Sequence, residues 1–278
     1  MTGPPAGQEP FAGSLAAMAM RRLSEVMPPL AEHVRPGDRV LDVGCGPGSI
    51  TLDVARLAPG PSKVTGVDQS PMMIDAAQRA ATSAGIRNAK FVIGDAQRLA
   101  FADGAFDLTY SNALLDWLED PVAALREQAR VTRRGGIVFA RLSDLSSQTF
   151  HPPCPDVTRV VGALHALAST DPGQAGWNPF LGTRAVELLR GAGLDVVNVL
   201  PWSTCFSSAQ PDVNRHLVSG LLLAGVEPPY SAAVRALLER GLTDTQLLTR
   251  ASGQLRTLIS NPCGLSIRSG VHAIGRVP

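Results

Sequence analysis

Residues 40 to 48 read Val40-Leu41-Asp42-Val43-Gly44-Cys45-Gly46-Pro47-Gly48. An apolar strand ends in an acid and is followed by a glycine-dense turn. Ser49-Ile50-Thr51-Leu52-Asp53-Val54-Ala55 then has helical spacing. Glycines at alternate positions let the backbone turn sharply and let a ligand lie directly on the main chain, where a Cβ would collide. Twenty residues beyond Gly48, the apolar run Val64-Thr65-Gly66-Val67 ends in Asp68. A carboxylate there can grip both ribose hydroxyls of a nucleoside. Strand, acid, glycine turn and a second strand ending in an acid together predict a site for an adenosine-type cofactor.

The glycine spacing separates two kinds of cofactor. A dinucleotide turn needs G-x-G-x-x-G, with the helix amino terminus aimed at a pyrophosphate. Here the glycines fall at 44, 46 and 48, and Ser49 stands where the third dinucleotide glycine or alanine would be. Asp42 would repel a pyrophosphate, whereas its charge suits the ammonium and sulfonium of S-adenosylmethionine. The reading is therefore S-adenosylmethionine, with S-adenosylhomocysteine as product.

Outward from this turn, strands and helices alternate: strand 39–44, helix 49–58, strand 63–68, helix 71–84, strands 90–94 and 105–111, helix 121–131 and strand 135–141. Ser70 caps the second helix, and Pro71 takes its first turn, where a missing N–H costs nothing. Such alternation requires right-handed crossovers and a parallel sheet covered by helices on both faces. Residues 14 to 34 have helical spacing, with a break at Pro28-Pro29. Arg21 or Arg22 on this leading helix could reach the cofactor cleft, although plain packing on the sheet is the simpler expectation. After Arg141 the pattern yields to a helical run around Val160-Val161-Leu164-Leu167, a helix over 183–191, a sixth strand from Leu194 to Leu200, a helical block between Pro211 and Asn261, and a last strand from Leu265 to Val277. Segments 144–178 and 206–262 read as helical lid insertions on a single domain spanning 13–278, whose cofactor core is 39–141.

Asp42-Val43-Gly44-Cys45-Gly46-Pro47-Gly48 resembles the first motif of the class I S-adenosylmethionine-dependent methyltransferases, and Gly66-Val67-Asp68-Gln69-Ser70 resembles the second. Phe91-Val92-Ile93-Gly94-Asp95-Ala96, Phe106-Asp107-Leu108-Thr109-Tyr110-Ser111-Asn112 and the segment Leu125 to Val138 complete the pattern over residues 37 to 141. The likeness leans toward the ubiquinone/menaquinone-type and natural-product small-molecule branch. It implies a Rossmann-like, doubly wound, mostly parallel seven-stranded sheet whose last strand runs antiparallel. It also implies roles. The backbone at Gly44 and Gly46 supports the methionine moiety, and Cys45 is a small residue that fits beneath the cofactor. Asp68 binds the ribose hydroxyls, with Gln69 and Met73 beside the adenine. Asp95 accepts from the adenine amine, the Ala96 N–H meets the ring, and the carbonyl of Ser111 or Asn112 faces the ammonium. Met73 reads equally well as ordinary core.

Composition narrows the function classes. With 278 residues and 45% hydrophobic side chains, the chain can build one large core. A net charge of +1 makes no electrostatic case for nucleic acid. Lys63 and Lys90 are the only lysines among 25 basic residues, an arginine bias of the kind GC-rich genomes produce. The cysteines at 45, 154, 205 and 263 form no C-x-x-C pair and read as reduced thiols, so no metal is expected. Residues 1–12, rich in Pro and Gly, read as a disordered tail rather than a signal peptide. Leu217 to Val226 is the longest greasy stretch and is far too short to span a bilayer. The expectation is a soluble cytoplasmic protein with a small-molecule acceptor and no membrane or nucleic-acid partner; a homodimer is compatible with the sequence.

The general base is the open element. Relatives of the resembled family often carry histidine after the fourth strand, where this chain reads Leu115-Asp116-Trp117. Asp116 can substitute, or it can cap the helix beginning near Pro121. His151, at the carboxyl end of the fifth strand, is the other catalytic candidate; His165 and His216 lie in the insertions, and His33 and His272 in scaffold segments. Trp117, Phe150, Trp177, Phe180 and Phe206 are candidates for the acceptor pocket wall, each alternatively plain core. The leading expectation is an enzyme that methylates a small, largely apolar metabolite of secondary metabolism. Its competitor is a protein that holds S-adenosylmethionine without transferring methyl.

Overall fold

The computed structural model describes residues 15, 18–58, 63–170, 178–207, 227 and 231–278. Seven strands form one sheet: β1 (Arg39–Val43), β2 (Lys63–Asp68), β3 (Ala89–Ile93), β4 (Phe106–Asn112), β5 (Thr132–His151), β6 (Asp195–Ser207) and β7 (Leu265–Arg276). Their order is β3-β2-β1-β4-β5-β7-β6. β1 to β5 run parallel, and β7 is antiparallel to both β5 and β6. The sheet expected from the motif resemblance is the one observed.

The order switches direction at β1, whose neighbours are β2 and β4, so the loop after β1 opens at a topological switch point where ligands of such sheets sit. Alternation along each strand sends side chains to two cores. On one face Val40, Tyr110, Phe139 and Ile274 pack beneath Leu23, Met27 and Leu30 and against α2 (Ser49–Leu57). On the other, Val138, Ala140, Leu142 and Ala273 pack against α4 (Pro121–Val131) and α6 (Ala185–Gly191). α3 (Pro71–Ser83) begins as the sequence predicts, with Ser70 Oγ accepting the Met73 N–H at 3.4 Å and Pro71 at the first position.

Three boundaries differ from expectation. The leading helix is broken earlier than Pro28: a short helix α1 (Leu23–Val26) precedes a 3-10 turn over Pro28–His33. The Asp53 carboxylate accepts the Leu23 N–H at 3.0 Å, which starts α1 at that point. β5 does not stop near residue 141 but continues to His151, pairing Thr149, Phe150 and His151 with Ile267, Ser266 and Leu265. β6 likewise runs on to Ser207. The first eight residues of the segment 144–178 are therefore strand, not helical lid. Helices follow beyond that arm: α5 (Pro155–Thr170), α7 (Ala232–Glu239) and α8 (Thr245–Ser260), with α5 packed on α8 through Val157, Val160, Leu248 and Leu255. The tail 1–12 and Trp177 and His216 lie outside the described residues.

Candidate active site

The turn after β1 is built by backbone groups and one carboxylate. Gly44 and Cys45 donate their N–H groups to the Val67 carbonyl at 2.8 and 3.0 Å, tying the turn to the end of β2. Asp68 then reaches across: one oxygen accepts the Gly46 N–H and the other the Ser70 N–H, both at 2.9 Å. Each carboxylate oxygen keeps a further acceptor position, the arrangement a vicinal diol needs. Gly44, Gly46 and Gly48 have φ of 75°, 52° and 80°, in the left-handed region that favours glycine. A Cβ at Gly44 would strike Leu114, and one at Gly48 would strike Ala77 and Phe91, but one at Gly46 would meet nothing within 4 Å. Space for a ligand lies over Gly46.

Asp42 closes the floor. It is buried, and its Oδ2 accepts both the Thr51 hydroxyl at 2.6 Å and the Tyr110 hydroxyl at 2.9 Å. Burial raises its pKa to about 7, against the two hydroxyl donors that lower it, while nearby Asp68 adds to the rise. Burial and the two acids also push the Cys45 thiol far up, so it stays protonated and unreactive. Cys45 Sγ packs so closely on Gly66 that a Cβ there would come within 2.9 Å of it, which makes it a packing residue below the turn.

Across the turn, at the carboxyl end of β4, Ser111 Oγ and Asn112 Oδ1 are buried with no hydrogen-bond partner. Such orphaned polar atoms carry a cost that a bound polar ligand removes. Ala113 follows with φ of 52°, unusual for a residue with a side chain, and its N–H is held by the Arg141 carbonyl at 3.2 Å. On the far side of the cleft Gln69 is exposed, Met73 is buried, and Asp95 accepts the Gln97 N–H at 2.9 Å beside half-buried Ala96. Ile93, level with Asp68 across the β2–β3 pair, is 61% exposed and offers an apolar platform there. Strand-terminal isoleucine reads as core from sequence, so nothing in the pattern singles it out.

A methyltransferase-domain family model matches residues 41–140. The malonyl-acyl-carrier-protein O-methyltransferase of Halorhodospira halophila is 31% identical over 220 residues, covering 77% of this chain and 72% of that protein. The chain belongs to the class I S-adenosylmethionine-dependent methyltransferases. The aklanonic acid methyltransferase DauC of Streptomyces sp. strain C5 is 31% identical over 141 residues, 51% of this chain and 62% of that protein. The crystal structure of the Bacillus halodurans C-125 protein BH2331, which carries a methyltransferase name, superposes with a TM-score of 0.60 at 15% identity over 92% of this chain and 99% of that one, a likeness of fold. The chain spans about half the length of several curated relatives it matches, 46% to 62%.

The class I methyltransferase frame separates the remaining candidates. Asp116 sits in a 3-10 turn, Leu115–Trp117, at the carboxyl end of β4, buried, with its Oδ1 facing the Ser143 N–H at 3.4 Å. It is not a helix cap; Asp120 caps α4 by accepting the Ala123 N–H at 2.9 Å. Burial raises Asp116 to about 6, partly offset by the Ser143 donors and by Arg141 and Arg268. His151 is exposed at the far end of β5; through the bulge after Asp144 it lies seven β7 residues beyond the level of Arg141, on the order of 20 Å along the strand. The structure does not bring it to the cofactor turn, a correction that follows from the longer β5. Phe180 is buried with Leu145 and Ala168, and its ring stacks on His165 at 4.5 Å, the core alternative that the sequence also offered for it. Phe150 is half-buried against the α5–α8 core, whereas Trp117 is 52% exposed beside Asp116 and Phe206 is buried under a guanidinium. Among the described residues no helix is long and apolar enough to cross a membrane, and no group of three or more His, Cys, Asp or Glu is placed to hold a metal.

Proposed function

We propose that the chain transfers the methyl group of S-adenosylmethionine to a small, largely apolar metabolite of secondary metabolism. The observation that carries the reading is the pairing of Asp68 with the Gly46 N–H beneath open space. In this reading Asp68 holds the ribose hydroxyls, Ile93, Met73 and Gln69 flank the adenine with Asp95 and the Ala96 N–H at its edge, and Ser111 and Asn112 receive the methionine ammonium above buried Asp42. Bound there, the cofactor supplies a methyl group on a positively charged sulfur. The chain's own task is to align the acceptor behind that methyl and to exclude water. Asp116 is the base in this scheme: at about 6 its carboxyl is mostly ionised at neutral pH and still basic enough to take a proton from an acidic acceptor hydroxyl. Trp117 and Phe206 wall the acceptor. The name of DauC, with aklanonic acid as its acceptor, supports a natural-product role.

Incubating the chain with S-adenosylmethionine and a panel of aromatic and polyketide-like hydroxyls and acids tests this reading. Formation of S-adenosylhomocysteine in step with a methylated product, seen by mass spectrometry, is the expected outcome. Cofactor binding without product across the panel would favour the protein that holds the cofactor without transfer.

A further inference from the structure

Arg141 and Arg268, from distant parts of the chain, lie beside Asp116, and a third arginine, Arg21, lies near both. Arg141 lies on β5 level with Asn112 of β4, one strand away from the orphaned Asn112 oxygen. It is only 6% exposed, and its guanidinium lies 3.5 Å from the centre of the Trp202 ring. Trp202 is fixed in turn: its indole N–H donates to the Leu142 carbonyl at 3.1 Å, and it lies so flat on Gly270 that a Cβ there would come within 2.6 Å of the ring. Arg268, on the same face of β7, places its guanidinium 5.0 Å from the Phe206 ring. Arg21 enters from the segment before α1, half-buried and close enough to lower the pKa of both other guanidiniums.

This cluster is short of negative charge. Nε of Arg141 and Nε of Arg268 are buried without a hydrogen-bond partner. Among the described residues no carboxylate lies within ion-pair distance of any of the three, and Asp116 is the one acid that acts on Arg141 and Arg268. Burial, and after it repulsion from neighbouring guanidiniums, lowers Arg141 to about 9 and Arg268 to about 10. Packing against aromatic faces holds guanidiniums in place without neutralising them. Unpaired buried cations are costly, and a planar oxyanion with two acceptor atoms relieves that cost through the guanidinium fork. Arg141 is level with Asn112, the last residue of β4, on the face covered by residues 18–33, and so adjoins the end of the cleft that the proposed function assigns to the methionine moiety.

We propose that the acceptor carries a carboxylate on an apolar body, and that Arg141 and Arg268 clamp this carboxylate while Trp202, Phe206 and Trp117 contact the body. The inference rests on the acceptor pocket of the proposed function and deepens it: a largely apolar acceptor must also be an anion.

The test titrates 2-naphthoate and the isosteric neutral 2-naphthamide into the full chain loaded with S-adenosylhomocysteine, by calorimetry. The acid should bind at least about tenfold tighter than the amide, as charge-assisted bonds outweigh neutral ones. Arg141→Gln and Arg268→Gln should bring the two ligands within about twofold of each other while the S-adenosylmethionine Kd stays within about twofold of the original. Arg268→Lys, which keeps the charge but loses the fork, should retain part of the preference and serves if a glutamine variant melts early. Equal binding of acid and amide to the unaltered chain, or an acid preference that survives both glutamine changes, overturns the proposal. Methyl transfer is read separately: acids that bind yet yield no S-adenosylhomocysteine would refute transfer and leave the anion site standing. Transfer confined to neutral acceptors would do the reverse.

Discussion

Replacing Asp68 with alanine removes the side chain that, in the proposed reading, connects the glycine turn to the ribose. In the structure both carboxylate oxygens are aimed by backbone donors, Gly46 N–H and Ser70 N–H, each at 2.9 Å. The proposed reading gives the remaining acceptor positions to a 2′- and a 3′-hydroxyl. A hydrogen bond to a charged partner contributes about 1.5–3 kcal/mol. Water can enter the space left by alanine, so the net loss should stay near one such bond rather than two. That is roughly a 10- to 150-fold weaker S-adenosylmethionine Kd. Isothermal titration calorimetry on the original and D68A chains measures it, with circular dichroism verifying the fold. A second titration with 2′-deoxy-S-adenosylhomocysteine sharpens the attribution: removing the hydroxyl should weaken binding to the original chain and have little further effect in D68A. An unchanged Kd in D68A, or equal penalties for the deoxy ligand in both proteins, would refute the ribose assignment.

Other expectations follow from the same geometry. Gly46→Val should abolish cofactor binding by calorimetry while preserving the far-ultraviolet spectrum, because its Cβ enters open ligand space rather than packed core; normal binding would mean that the turn does not cradle the ligand. Asp42, whose folded pKa is raised to about 7 from 3.8, adds no penalty below pH 4, and its cost grows as pH rises through the interval from about 4 to 7. Urea unfolding at pH 5 and pH 8 should therefore show a larger loss of stability for the original chain than for Asp42→Asn, by on the order of a few kcal/mol; parallel behaviour would argue against a buried, titrating Asp42. Trp117→Ala should raise the acceptor KM with little change in cofactor Kd, and equal loss of both would point to scaffold damage instead. Iodoacetamide should label exposed Cys205 and Cys263 under native conditions and leave buried Cys45 untouched until unfolding, as peptide mass mapping would reveal.

The cofactor turn was legible in the sequence because its demands are local. Positive φ at Gly44, Gly46 and Gly48, and an acid at the end of each of two strands, leave their mark residue by residue. The parallel sheet followed from alternation, and its antiparallel last strand from the motif resemblance. What escaped was set by tertiary pairing. Residues 144–150 read Asp-Leu-Ser-Ser-Gln-Thr-Phe, with no clean alternation, and they continue the strand because β7 pairs with Asp144 and again, past a bulge, with Thr149 and Phe150. That extension carries His151 away from the site and buries Phe180 under α5. Arg141 did leave a trace, a charge inside the apolar run Val138-Phe139-Ala140-Arg141-Leu142, but its meaning needed Arg268, Arg21 and Trp202 beside it. Charge clusters assembled from three separate segments have no sequence spacing to detect.

The measurement that bears most directly on the central claim is a calorimetric titration of the purified chain with S-adenosylmethionine, run beside one with NAD. The turn at Gly44-Cys45-Gly46, the diol grip proposed for Asp68 and the buried acid Asp42 predict saturable binding of S-adenosylmethionine at one site per chain and none of NAD. Binding of NAD with no heat from S-adenosylmethionine would contradict the account at its root.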